Sequence, residues 1–282
     1  MRSFNTYRIP MLSGLAVAGL VALSVSCNGS GASGGVSHGV SDAAVDTVMD
    51  EETLAARMGA TIRECMNADS TESSQSITRL IGSIHDDARM LSVADSLADL
   101  YLYNPMSPVR NEDMYIMFLR EFLACDSFPE HLRLRETENL RLVSQNRPGM
   151  MANDFRFIDR NGISSNLQSL FTGKDDKELL LVFYDPDCTH CSEIINSLAT
   201  DDKINSKIDN GSLQVLAVYT EGNRDLWERT KDKMPKKWRI AYDLSDIVDN
   251  GLYDIPAMPS LYLLDSTGRV VLKDLESEKD KS

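Results

Sequence analysis

The sequence predicts a helical region followed by an α/β domain in which a mixed central sheet carries flanking helices. Two observations predict this architecture. Apolar residues recur at helical spacing through the first half of the chain, and two continuous apolar runs stand in the second half. Such runs are typical of strands that are buried on both faces. Because these strands alternate with helices and a strand pair follows, we expect a single mixed sheet.

The composition is that of a globular protein with an acidic surface. Of the 282 residues, 42% are hydrophobic and 26% are charged, which provides enough apolar material for a sizeable core. The 43 acidic residues outnumber the 29 basic ones and give a formal net charge of -14. Because such a surface repels phosphate backbones, we expect no charge-driven binding of nucleic acid.

The first 26 residues have the pattern of an export signal. Arg2 and Arg8 precede an uncharged run from Met11 to Ser26, which is too short for a comfortable membrane span. Small residues end the run before Cys27, and this ending resembles a bacterial lipobox. In a lipobox the cysteine is lipidated and becomes the first residue of the mature chain. Cleavage by an ordinary peptidase and a short uncleaved anchor are the two alternatives.

A segment rich in glycine and serine follows the signal. Nine of the residues 28–41 are Gly or Ser, so this stretch cannot form a core and is predicted to be a flexible tether. A lipid on Cys27 followed by a tether would hold the protein at a membrane, so residues 27–41 form one anchoring segment. The expected location is the cell envelope, as a lipoprotein that faces the periplasm from the outer membrane.

Residues 42–147 are predicted to form a helical domain. Apolar residues between Ile77 and Tyr101 recur at spacings of three and four, which predicts one helix. The segment Asn104–Pro108 ends this pattern. Two further helices are predicted, one from Met114 to Phe122 and one from His131 to Val143.

Residues 149–282 are predicted to form the α/β domain. Its predicted elements are, in order, a strand and turn at Phe155–Gly162, a buried strand at Glu178–Tyr184, a helix at Ser192–Leu198, a buried strand at Leu213–Tyr219, a helix at Asp225–Lys233, and two final strands at Ser260–Leu264 and Arg269–Leu272.

A Cys-Thr-His-Cys motif, Cys188 to Cys191, lies between the first buried strand and the helix that follows it. Two cysteines three residues apart in the first turn of a helix are close enough to form a small disulfide ring. The free N–H groups and the dipole at this helix end stabilise a thiolate at Cys188, and only a thiolate attacks a disulfide. Cys191, one turn further on, is placed to resolve the mixed disulfide.

Two other interpretations of these cysteines are a zinc site and a purely structural disulfide. Structural zinc needs four ligands, whereas Cys65 and Cys125 are single cysteines 60 positions apart. We therefore expect no metal and no other cofactor. So short a disulfide loop gains little stability from closure, which disfavours a structural bond. Cys65 and Cys125 could pair in an oxidising compartment, or they could be two buried thiols.

These segments resemble the TlpA/ResA-like thiol-disulfide oxidoreductases, which have a thioredoxin-like fold. Three segments carry the resemblance over roughly residues 149–275: the strand that leads into Cys188, the segment Gly149–Phe155, and Ile255–Asp265, which is similar to the family's strand with its cis-proline. The interval of 68 residues from Cys191 to Pro259 suits this branch, which carries an insertion. The order of lipobox, helical region and this domain also resembles a group of Bacteroidota lipoproteins.

The resemblance implies an enzyme that exchanges disulfides with protein clients and with a redox partner. Cys188 and Cys191 would be its catalytic pair, and Met258 before a cis Pro259 would offer backbone to an extended substrate. His190 would tune the thiolate, as a histidine at this place does in the oxidant DsbA, or it would be a solvated surface residue. An envelope binding or assembly lipoprotein with a vestigial redox pair is the alternative function.

The sequence departs from thioredoxin at two places near the motif. Asp187 stands where an aromatic residue usually precedes the first cysteine, and Val182 stands where thioredoxin carries a buried aspartate. The proton-transfer role of that aspartate therefore has no obvious occupant. A peroxiredoxin-like peroxidase is the neighbouring class, but Pro186 lies too close to Cys188 for the loop that such peroxidases use.

Overall fold

The structure is a computed structural model that describes residues 49–171 and 177–273. The predicted export signal, Cys27 and the tether therefore lie outside the described residues. The helices are α1 (Glu51–Cys65), α2 (Ser70–Gly82), α3 (Ala88–Ala98), α4 (Glu112–Ala124), α5 (Glu130–Val143), α6 (Thr189–Thr200), α7 (Asp202–Asp209) and α8 (Arg224–Thr230). The strands are β1 (Arg156–Asp159), β2 (Ser164–Asn166), β3 (Glu178–Tyr184), β4 (Leu213–Tyr219), β5 (Arg239–Asp243), β6 (Ser260–Leu264) and β7 (Val270–Lys273). Within these ranges, no helix is long and apolar enough to span a bilayer.

Helices α1 to α5 share one hydrophobic core, as helical periodicity predicts. The prediction of one helix from Ile77 to Tyr101 is wrong, because α2 ends at Gly82 and α3 begins at Ala88. The Asp87 carboxylate accepts hydrogen bonds from the backbone N–H groups of Arg89 and Met90, and it thereby caps a new helix. Both helices pack their apolar residues into the same core, so the apolar spacing continues across the break.

The seven strands form one mixed sheet in the order β2-β1-β5-β4-β3-β6-β7. Strand β4 pairs in parallel with β3 and with β5, and the other pairings are antiparallel. The sheet confirms the predicted mixed architecture, and β3 and β4 have the predicted bounds. The sequence analysis did not individually predict helices α1 and α7 or strands β2 and β5.

The two faces of the sheet belong to different cores, because alternate residues of each strand point to opposite sides. Leu180, Val182 and Tyr184 of β3 pack with the apolar residues of α6, α7 and α8. Leu179, Leu181 and Phe183 pack on the other side, with loop residues such as Ile247 and Tyr253. The face that carries helices α6 to α8 therefore also holds the cysteine motif.

Candidate active site

Cys188 is the N-cap residue of α6, directly after the loop that follows β3. Its Sγ accepts a hydrogen bond from the backbone N–H of Cys191, at an N···S distance of 3.1 Å. The loop is fixed by Asp185, whose Oδ1 accepts a hydrogen bond from the Asp187 backbone N–H at 2.9 Å. The sulfur thus lies where unsatisfied N–H groups and the helix dipole stabilise negative charge.

Cys191 has a different environment from Cys188, although it lies in the same turn. Its side chain is completely buried, whereas Cys188 is only partly buried. Burial raises the pKa of the Cys191 thiol well above its ordinary value, and a hydrogen bond from the backbone of Asp185 opposes this shift. Cys191 is therefore held as a thiol in a place that the Cys188 sulfur can reach and a large partner cannot.

The loop before β6 brings Met258 and Pro259 to the cysteine motif. The Met258–Pro259 peptide bond is cis, in agreement with the expectation from the sequence. The Met258 carbonyl oxygen accepts a hydrogen bond from Cys188 Sγ at 3.7 Å. Met258 also packs against the cores on both faces of the sheet. The structure thus places four of the predicted site residues, Cys188, Cys191, Met258 and Pro259, at one location.

His190 lies on the exposed surface of α6, where 67% of its side chain is accessible. Its Nδ1 is 3.7 Å from Glu193 Oε2, which lies on the next turn of the helix and is equally exposed. This position fits the solvated surface residue that was one of the two interpretations. A tuning role for His190 stays a prediction.

Carboxylates gather at the carboxyl ends of β3 and β4, beside the motif. Burial raises the pKa of Glu221, and the neighbouring charges of Asp185 and Asp249 raise it further. The sequence analysis did not single out Glu221 or Asp249. A signal was available for Glu221, because β3 and β4 are parallel neighbours and the residues after them meet at one edge of the sheet.

A cavity of about 640 Å³ is lined by the Asp185–Asp187 loop, by α6 and by the segment that precedes β5. Its lining includes apolar residues, namely Tyr184, Pro186, Ile195, Ala199, Met234 and Trp238. The sequence analysis did not predict this cavity, because its walls come from two separate segments, residues 184–205 and 230–238.

Cys65 and Cys125 are free thiols in the helical region, so the disulfide that was one option for them is not formed in the structure. Cys65 Sγ donates a weak hydrogen bond to the Ser73 carbonyl oxygen, and Cys125 Sγ donates one to the Glu121 carbonyl oxygen. Burial raises the pKa of both thiols. Cys65 is buried and Cys125 is partly buried against the same helical core, which fits the second interpretation, that of two unpaired thiols packed among apolar residues.

Among the described residues, one group of carboxylates lies close enough to share a cation, with ligand atoms within 4.8 Å of one another. These residues are Asp95, Asp99 and Glu136, in the helical region and away from the cysteine motif. The Arg135 guanidinium donates hydrogen bonds to Asp95 and Glu136 and thereby supplies positive charge at this place. The group has no part in the chemistry of the candidate active site.

Comparison with known proteins supports both parts of the architecture. Residues 60–146 match the family DUF5106, described as a domain of unknown function. A thioredoxin-like protein from Bacteroides caccae has a similar structure, with a TM-score of 0.71 and 29% identity over 82% of this chain and 81% of that one. The sequence finds no match among curated proteins.

Two shorter structures match about half of the chain. A conserved protein of unknown function from Bacteroides fragilis is 35% identical over 48% of this chain and 96% of that one, with a TM-score of 0.44. The thioredoxin domain of a thiol-disulfide oxidoreductase from Bacteroides vulgatus is 23% identical over 47% of this chain and 91% of that one, with a TM-score of 0.41.

The fold and the structural match over 82% of the chain agree with one another. The mixed sheet with its helices and the preceding helical region confirm the predicted fold class. The chain therefore has a thioredoxin-like fold, which is preceded by a helical region that matches DUF5106.

Proposed function

We propose that this protein is a thiol-disulfide oxidoreductase that acts on protein disulfides in the cell envelope through Cys188 and Cys191. The observation that carries the proposal is the position of the Cys188 sulfur. It lies at the start of α6, 3.1 Å from the Cys191 backbone nitrogen and 3.7 Å from the Met258 carbonyl oxygen. This arrangement combines a site for a thiolate with the adjacent backbone of Met258, with which an extended client would pair.

The exchange takes place in two steps. The Cys188 thiolate attacks one sulfur of a client disulfide, the client S–S bond breaks, and a mixed disulfide forms while the other client sulfur leaves as a thiolate. The Cys191 thiol then loses its proton and its sulfur attacks Cys188 Sγ, which closes the Cys188–Cys191 disulfide and releases the first client sulfur. Two electrons pass to the client, whose two thiolates take up the protons that the two cysteines lose.

Burial of Cys191 suits the second step. Because its raised pKa keeps it protonated, it does not compete with Cys188 for the client. Its sulfur becomes a nucleophile only toward the neighbouring Cys188, which it reaches without leaving the core. The same steps in reverse oxidise a client dithiol, and the reduction potential of the pair sets the direction.

Trapping of intermediates tests the assigned roles. Cys191→Ala should accumulate mixed disulfides with client proteins, because the resolving sulfur is gone, whereas Cys188→Ala should accumulate few. Non-reducing electrophoresis of acid-quenched cells measures both. Cys125→Ala is the control, since that thiol lies in the helical region, and it should trap nothing. Equal trapping by the Cys188 and Cys191 variants, or none by either, would contradict the proposal and favour a binding lipoprotein with a vestigial pair.

The envelope location is a separate part of the proposal. It rests on the apolar run that ends at Cys27 and on the Gly/Ser segment that follows. Lipidation of Cys27 would attach the protein to the membrane, and the tether would leave the redox site free to meet periplasmic clients. Cys27→Ala should release the protein from membranes or leave an uncleaved precursor. Unchanged processing and fractionation would refute the lipid anchor.

A further inference from the structure

We propose that the helical region acts as a clamp that positions the Met258–Pro259 loop for disulfide exchange, with Tyr103 and Arg141 as positioning residues. The inference rests on the proposed function and gives the DUF5106 region a role in it. The clamp consists of the hydrogen bonds that helical-region residues make to the segment Gly251–Asp254, which leads into the loop.

The first part of the clamp holds a buried carboxylate, that of Asp254. Asp254 is only 2% exposed, and its Oδ1 accepts a hydrogen bond from the Tyr103 hydroxyl at 2.7 Å. Its Oδ2 lies 3.1 Å from the Lys273 Nζ, which also lies 2.8 Å from Glu112 Oε1 at the start of α4. Two residues of the helical region thus hold Asp254: Tyr103 binds it directly, and Glu112 acts through Lys273.

The second part of the clamp holds two backbone carbonyls. The Gly251 oxygen accepts hydrogen bonds from Arg141 Nη1 at 3.2 Å and from Gln145 Nε2 at 3.1 Å. The Leu252 oxygen accepts one from Asn146 Nδ2 at 2.8 Å. Gly251 has a φ of +54°, and a Cβ there would lie 2.1 Å from Arg141 Nη2. The positive φ favours glycine here, and the absence of a side chain lets the Arg141 guanidinium approach the Gly251 backbone closely.

The clamped segment is connected to the candidate active site by a short and well-fixed stretch of chain. Asp254 is four residues from Met258, and its carbonyl oxygen accepts a hydrogen bond from the Tyr262 hydroxyl of β6 at 2.8 Å. On the other side of the loop, the Ser260 hydroxyl donates to the Ala257 carbonyl oxygen at 2.7 Å. A shift of Asp254 would therefore move Met258, whose carbonyl lies beside Cys188 Sγ.

The consequence depends on the kind of substrate. An extended protein client needs backbone at Met258 in a fixed position, because it must pair with that backbone before its disulfide reaches Cys188. A small disulfide needs access to the sulfur alone. Loosening the clamp should therefore slow exchange with a protein and leave exchange with a small molecule unchanged.

The test uses the full-length protein with its cysteine pair reduced. Tyr103→Phe removes the hydroxyl that binds Asp254 and keeps the ring, which stacks on Tyr115 at 4.9 Å. The second-order rate constant for reduction of insulin should fall about three- to tenfold, whereas that for bis(2-hydroxyethyl) disulfide should not change. Arg141→Gln, on an exposed side chain, should have the same selective effect and serves as the second variant.

Tyr115→Phe is the matched control. It removes a hydroxyl from the same stacked pair, but that hydroxyl donates to Asp99 within the helical region. It should leave both rate constants unchanged. If Tyr103→Phe and Arg141→Gln reduce insulin at the wild-type rate, or slow both substrates equally, the clamp is refuted while the proposed function stands. Wild-type protein that neither reduces these disulfides nor, in its oxidised form, oxidises the corresponding dithiols would refute the proposed function and the clamp with it.

Discussion

The two cysteines of the motif differ in burial, although they are only three residues apart. Cys188 is partly buried at a helix N-terminus, whereas Cys191, three residues later, is enclosed by the core between the sheet and α6. Burial also raises the pKa of Cys65 and Cys125. Of the four described thiols, Cys188 is thus the one whose position combines access with stabilisation of a thiolate.

A second effect at the residue scale concerns Asp95, whose side chain is 1% exposed. Burial raises its pKa from 3.8 to about 7, with a further contribution from the nearby charge of Glu136, while Arg135 opposes the shift. Asp99, Arg135, Glu136 and Tyr115 are the titratable groups around it. Between these two pKa values the folded protein binds a proton that the unfolded chain has lost.

We predict that the free energy of unfolding falls as pH rises from about 4 to about 7, by at most about 1.4 kcal/mol per pH unit from this group. The contribution is fully present below the unfolded pKa and is lost above the folded pKa. Asp95→Asn cannot ionise and should flatten this part of the profile in urea titrations. Asp232→Asn, at an exposed position, should keep the wild-type profile. Parallel profiles for wild type and Asp95→Asn would contradict the assignment.

At the scale of elements, a capping residue can determine where a helix begins even where the spacing of apolar residues shows no break. The core-facing residues of α2 and α3 follow one spacing, yet Asp87 starts a new helix by accepting two backbone N–H groups. Helix α7 is eight residues long and its apolar face consists of Ile204 and Ile208 alone, which is too short a pattern to detect. Strand β5 has only three central apolar residues and follows a lysine-rich segment, although it pairs with both β4 and β1.

We predict that Asp87→Ala destabilises the protein by about 1 kcal/mol, because the first turn of α3 loses the acceptor for two N–H groups. Thermal or urea unfolding measures the change. Asp86→Ala is the control, since the neighbouring carboxylate is exposed and pairs only with His85. Its effect should stay within about 0.5 kcal/mol. Equal effects of the two substitutions would mean that the cap does not stabilise α3.

At the scale of the whole molecule, buried charges connect the helical region to the sheet. The Lys273 side chain is 4% exposed and lies between Asp254 and Glu112, which belong to the two regions. Taking one partner from such a group leaves a buried charge without compensation, which is more costly than losing an exposed pair. The stability of the two regions should therefore be coupled through this residue.

We predict that Lys273→Met destabilises the protein by about 3–5 kcal/mol, because the Asp254 carboxylate stays buried without its cation. Lys237→Met removes an exposed pair with Asp209 and should cost at most about 1 kcal/mol. Urea denaturation followed by circular dichroism compares the two variants. A loss for Lys273→Met no larger than that for Lys237→Met would show that the buried group does not connect the regions.

The sequence by itself determined the parts of this protein that depend on local pattern. The sheet was indicated by the apolar runs of β3 and β4 and by the apolar strand after Pro259. The redox-type motif was indicated by the cysteine spacing after β3. Both are local features, because the burial of a strand and the start of a helix depend on residues that are neighbours in the sequence. The tertiary structure alone decided which distant groups meet. The burial of Cys191, the proximity of Asp249 to Glu221 and the contact of Tyr103 with Asp254 arise from packing between segments that are far apart in the chain. Local periodicity contains no information about such packing.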